Sequence, residues 1–130
     1  NRSCARCPCI GRFLGHTRAR DAMMNAPMVP GPLVFCVVRR DALVTTYRVS
    51  LPAGRTVIEG APRGLDEAED MLACAGALYV IESGKRPDAC DIAMQITGLD
   101  EVYGSEDQGN IGRILLTAFA DGIAGAVLED

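Results

Sequence analysis

Six consecutive apolar residues, Leu33-Val-Phe-Cys-Val-Val38, constrain the fold more than any other feature of the 130-residue chain. The run has strand length, is rich in β-branched residues, and follows Pro27, Pro30 and Pro32, which impose extended or turn geometry. It predicts a strand buried on both faces, and such a strand needs neighbours beside it and a layer above and below. A polar turn, Arg39-Arg-Asp-Ala42, separates it from Leu43–Ser50. There Leu43, Thr45, Tyr47 and Val49 alternate with Val44, Thr46, Arg48 and Ser50, the pattern of a half-solvated antiparallel strand. Pro52-Ala-Gly54 turns the chain into a third, shorter strand at Arg55–Glu59. Three strands joined by short connections predict a meander.

Downstream, Asp66 with Glu69 three residues later is an N-cap signature, and Ala68, Met71, Leu72 and Ala75 then fall on one helical face. Leu78-Tyr-Val-Ile81 either continues that helix or forms a strand entered after Gly76, and its β-branched pair with the Ser83-Gly84 turn favours the strand. Asp91–Thr97 alternates with Ile92, Met94 and Ile96 facing inward, a strand expected to pair with 78–82, with a short helix from Pro87 as the competing reading. Residues 98–110 read as an acidic loop. Ser105 and Gln108 make a second capping box, Ile111, Ile114, Leu115, Ala118 and Phe119 follow at helical spacing, and Gly122 is a natural C-cap. The expected fold is α+β: one antiparallel sheet, made of a three-strand meander plus a second hairpin, packed on one face by two or three helices. Residues 1–32 form a basic arm containing proline and cysteine, with a weak helix over 12–24, and residues 33–130 form the domain. Met23-Met24 offers a native start, with residues 1–22 as an upstream extension. In element order, length and acidity the chain resembles the small acidic dimeric chaperones of type III secretion, although the leucine-rich first helix of that family is missing here. The resemblance implies a chaperone-like protein that holds a polypeptide partner.

Composition closes off several classes. With 48% hydrophobic and 23% charged residues the chain is neither disordered nor fibrous. No apolar run reaches the ~20 residues that a membrane helix needs. The net charge of −4 conceals an asymmetry. Residues 1–48 hold eight arginines against Asp21 and Asp41, a balance of +6, whereas residues 49–130 carry five basic and fifteen acidic residues, a balance of −10. Phosphates repel an acidic body, so nucleic acid is not the expected partner. Opposed charges attract within a chain or between copies, which favours a homodimer. Arg39, Arg40 and Arg48 gather around the first hairpin, either as a charged guard on a strand edge or as a contact for an acidic surface of another copy.

Cys4-x-x-Cys7-x-Cys9 with His16 is the one cluster with metal-ligand chemistry, since thiolates and imidazole suit tetrahedral zinc. Cys36, Cys74 and Cys90 read as reduced core residues, and the first residues hold no apolar leader, so the expected location is cytoplasmic. His16 is the only histidine, which leaves a catalytic thiol or serine without its usual base. The acids at 66–70 suit a helix's first turn. Gly104, Gly109 and Gly112 are placed like phosphate-binding glycines, but Glu106 and Asp107 stand among them. The expectation is therefore a small non-enzymatic binding protein. The alternatives are a pocket protein or small enzyme with its ligand between sheet and helices, contacted by Tyr47, Arg48, Tyr79 or Tyr103, and a zinc-stabilised interaction domain built on the arm.

Overall fold

The computed structural model describes residues 12–13, 32–52 and 56–127. The chain runs through β1 (Arg12–Phe13), β2 (Leu33–Asp41), β3 (Val44–Ser50), β4 (Val57–Gly60), α1 (Leu65–Ser83), a 3-10 turn at Ala89–Asp91, β5 (Ala93–Thr97), α2 (Leu99–Tyr103) and α3 (Gln108–Gly125). This is an α+β architecture. β2, β3 and β4 form the expected antiparallel meander, with Val38 opposite Tyr47 and Val49 opposite Ile58. The order across the sheet is β1-β5-β2-β3-β4.

The sheet is mixed, not purely antiparallel. β5 lies parallel to β2, with Val34 opposite Met94 and Cys36 opposite Ile96, and β1 adds a two-residue parallel pairing on its other side. The hairpin expected between 78–82 and 91–97 does not form, because residues 78–82 belong to α1. That helix continues through Ser83 and ends at Gly84, whose left-handed backbone (φ 69°) lets its N–H reach the Val80 carbonyl at 2.8 Å. Val80 sits in the core while Ile81 is 59% exposed, the split that a helix makes of adjacent residues and a doubly covered strand does not. The element order behind the chaperone resemblance changes with it. Arg12–Phe13 pairs as a strand where a weak helix was expected, and the rest of 1–31 lies outside the described residues.

Helix ends also move. α1 starts at Leu65 behind Gly64, so Asp66 lies inside the first turn instead of capping it, and Glu67 accepts the Arg63 backbone N–H at 3.1 Å. Ser105 and Gln108 form no capping box: Asp107 precedes α3, and no side chain caps it. The acidic stretch 98–110 contains α2, anchored by the fully buried Leu99. Gly122, expected to end α3, lies within it.

One core joins the sheet to the helices. Val34, Cys36, Val38, Tyr47, Val49, Met94 and Ile96 meet Leu72, Val80, Leu115, Phe119 and Ile123 in a single buried cluster. Full burial of each large aliphatic or aromatic side chain contributes roughly 1.5–3 kcal/mol. α1 and α3 pack against each other so closely that glycine is required at the crossing. A Cβ on Gly76 would overlap the Phe119 carbonyl oxygen, and one on Gly122 the Ala73 carbonyl oxygen. Gly76 is thus a contact point of a continuous helix and not the break that opens a strand. At the end of α3, the Arg86 guanidinium donates to the carbonyl of Ile123 (3.2 Å from Nε), which also accepts the Ala126 N–H, and to the carbonyl of Ala126.

Candidate functional site: the open face of the sheet

Strand periodicity sends alternate residues of β2 to opposite sides. Val34, Cys36 and Val38 enter the core, while Phe35 and Val37 remain 36% and 39% exposed. β2 is therefore not buried on both faces as its apolar run predicts. β5 is the doubly buried strand, with Ala93, Met94, Gln95 and Ile96 all inaccessible. Hydrophobicity along β2 reports what its side chains are, not which of them a helix covers.

The register places Phe35 opposite Ser50, Val37 opposite Arg48, Arg39 opposite Thr46, and Arg48 opposite Glu59, all on the uncovered side. Val57, 39% exposed, stands opposite Ser50 on the same side. Arg48 Nε lies 3.3 Å from Glu59 Oε1, and Arg39 Nη2 lies 3.8 Å from Asp41 Oδ2. Both pairs are solvated and worth at most about 1 kcal/mol each. Between the end of β2–β3 and the end of β4 lies a groove of about 530 Å³, lined by Val37, Arg39, Thr46, Arg48, Glu59 and Ala61 among others. A smaller hollow beside it reaches Glu67 and Met71 of α1.

The residues singled out in the sequence distribute themselves over both sides of the sheet. Tyr47 and Tyr103 meet, with their hydroxyls 2.6 Å apart, and so tie α2 to β3. Burial, then the hydrogen bond shared with Tyr103, raises the Tyr47 pKa far above that of a free tyrosine, and the ring is almost wholly enclosed. Arg48 points to the other face from Tyr47 and does not join this pair. Tyr79 packs at the margin of the core on α1. Arg39 lies at the groove, and Arg40, opposite Thr45, points to the other side of the hairpin. β5 pairs with β2 only as far as Val37, so Arg39 and Arg40 lie where the hairpin extends past β5, with no described strand on that side. Their placement at the hairpin end depends on strand order, which no local pattern carries.

Cys4, Cys7, Cys9 and His16 lie outside the described residues. Among the described residues, no three His, Cys, Asp or Glu side chains are grouped to hold a metal, and no helix is long and apolar enough to cross a membrane. Cys36 is free and buried, which pushes its thiol pKa up to about 12, and Cys74 is free and exposed on α1. Cys90 differs from the expectation of a reduced core thiol: it is disulfide-bonded. Comparison with protein-family models, curated proteins and solved structures finds no match to this chain.

Proposed function

We propose that this protein acts by binding, as a homodimer that engages a polypeptide partner, and that the open sheet face is its contact surface. The observation that carries this reading is the exposure of Phe35 and Val37 on β2 and of Val57, across Ser50 on β4, each more than a third exposed on a sheet whose other face is covered by helices. Apolar side chains grouped on one face mark interaction surfaces more often than scattered ones do. Arginines and carboxylates alternate beside them, Arg39 with Asp41 and Arg48 with Glu59, so the surface carries both signs of charge. A patch with both signs is able to meet its own copy across a two-fold axis, which requires self-complementarity.

Sedimentation velocity of the full chain across micromolar concentrations tests the reading. A dimer is expected, and Phe35→Glu with Val57→Glu is expected to convert it to monomer without unfolding it. A monomer at every concentration and salt sinks the dimeric part. A dimer untouched by these two substitutions moves the interface off this face.

A further inference from the structure

β4 ends at Gly60, whose partner in β3 is Tyr47; beyond that pair, no described strand lies beside Val44–Thr46. The sheet therefore keeps an open stretch of edge, and the groove of about 530 Å³ lies next to it. Unpaired strand edges are templates for a further strand. An extended segment laid there would continue the line of β4, using backbone hydrogen bonds for affinity and alternate side chains for specificity.

The side chains around this edge state what that segment must carry. Arg48 approaches Glu59 at 3.3 Å through Nε, and 60% of its side chain stays exposed to solvent. Arg39 approaches Asp41 at 3.8 Å, an ion-pair distance longer than a hydrogen bond. The two arginines are diagonal neighbours on the open face, because Arg39 faces Thr46 and Arg48 faces Val37. Two exposed guanidinium groups, a threonine hydroxyl between them and a valine floor suit a carboxylate next to an apolar side chain, since guanidinium binds carboxylate through paired N–H donors.

We infer that the groove between the β2–β3 hairpin and the end of β4 binds an extended acidic polypeptide segment, which adds as a strand along Val44–Thr46 and places carboxylates on Arg39 and Arg48. This rests on the binding-protein reading above and names the chemistry of its partner. A segment in extended form fits the vacant strand position, and its negative charge complements the two arginines.

The test is nuclear magnetic resonance of the isotope-labelled full chain, titrated separately with a hexapeptide of alternating valine and glutamate, its valine–lysine counterpart, and glutarate. The glutamate peptide is expected to shift the amides of Val44–Thr46 and the side-chain signal of Arg48. Arg48→Gln should weaken its binding at least fivefold, while Arg40→Gln, on the other side of the hairpin, changes it less than twofold. Equal binding of the lysine peptide overturns the charge assignment. Glutarate binding as tightly as the peptide makes the groove a small-anion site and overturns the strand addition. If Arg48→Gln dissociates the dimer instead, the occupant is a second copy and the peptide assignment falls. A stable dimer that binds none of the three probes removes this inference alone and leaves the homodimer standing.

Discussion

Gly76 on α1 and Gly122 on α3 occupy one helix crossing, each facing a backbone carbonyl of the opposite helix, Phe119 for the first and Ala73 for the second. Neither carbonyl is a flexible side-chain end, so a methyl group at either glycine must push the helices apart. Overpacking of this kind costs about 1–3 kcal/mol or more. Gly76→Ala and Gly122→Ala are each expected to lower unfolding free energy by at least about 2 kcal/mol, and the double variant by less than the two together. Urea denaturation followed by circular dichroism measures this. Additive or negligible losses would show that the helices are not locked at this point.

The two-residue turn between β2 and β3 holds Ala42 at φ 56°. A side chain with a Cβ pays roughly 1–2 kcal/mol in that region, and with Ala42 alone at positive φ the turn is of the kind that takes glycine at its first central position. Ala42→Gly is therefore expected to stabilise the protein by about 0.5–1 kcal/mol. A shift in the urea midpoint at constant slope checks this, and an unchanged or lower midpoint contradicts it.

Stability should fall in alkali. Folding raises the Cys36 pKa from 9.0 to about 12, and Tyr47 is shifted in the same direction. Both groups are neutral when protonated, so the unfolded chain releases these protons first. Their contribution is complete below pH 9 and is lost as pH rises, at up to about 1.4 kcal/mol per pH unit for each group. Cys36→Val should flatten the curve between pH 9 and 10, leaving the fall above 10 that Tyr47 contributes. An identical curve for wild type and variant would refute the assignment to Cys36.

The three described cysteines should react in sequence. Cys74, exposed on α1, is expected to be alkylated in the native protein at pH 8, Cys36 only after denaturation, and Cys90 only after reduction. Peptide mass mapping reads the order. Labelling of Cys90 in denatured, unreduced protein would show that its disulfide does not form.

The contact of Arg86 with the carbonyls of Ile123 and Ala126 predicts a local effect. Arg86→Ala removes donors from the end of α3 and should cost about 1 kcal/mol, with faster amide exchange confined to the last turn of that helix. Exchange accelerated throughout the core, or unchanged at the helix end, would contradict the capping role.

Local pattern carried much of the fold. Alternation in Thr45–Val49 and the helical spacing of Ile111–Phe119 each placed their element correctly, because side chains two apart on a strand, or three and four apart on a helix, share a face whatever surrounds them. Leu78–Ile81 misled because β-branching is a weak preference and the packing of α1 on α3 overrode it. Gly76 and Gly122 read as punctuation for the same reason: a sequence records that a glycine is permissive, not that a second helix passes over it. The candidate site was legible only in its parts. Alternation along β3 already separated Tyr47 from Arg48, yet that Arg39 lies diagonal to Arg48 on the uncovered face follows from the β2–β3 register.

By itself, then, the sequence determined a three-strand meander, a strand within 91–97, amphipathic helices and an acidic body behind a basic first third. Tertiary structure alone decided that β5 lies parallel to β2, that 78–82 is helix, and that Phe35 and Val37 face outward beside Arg48. Periodicity is a property of neighbouring residues and survives in the linear chain. Strand partners, helix crossings and the choice of which face is covered arise between residues tens of positions apart, where only the packed core selects among arrangements that local preference leaves equal.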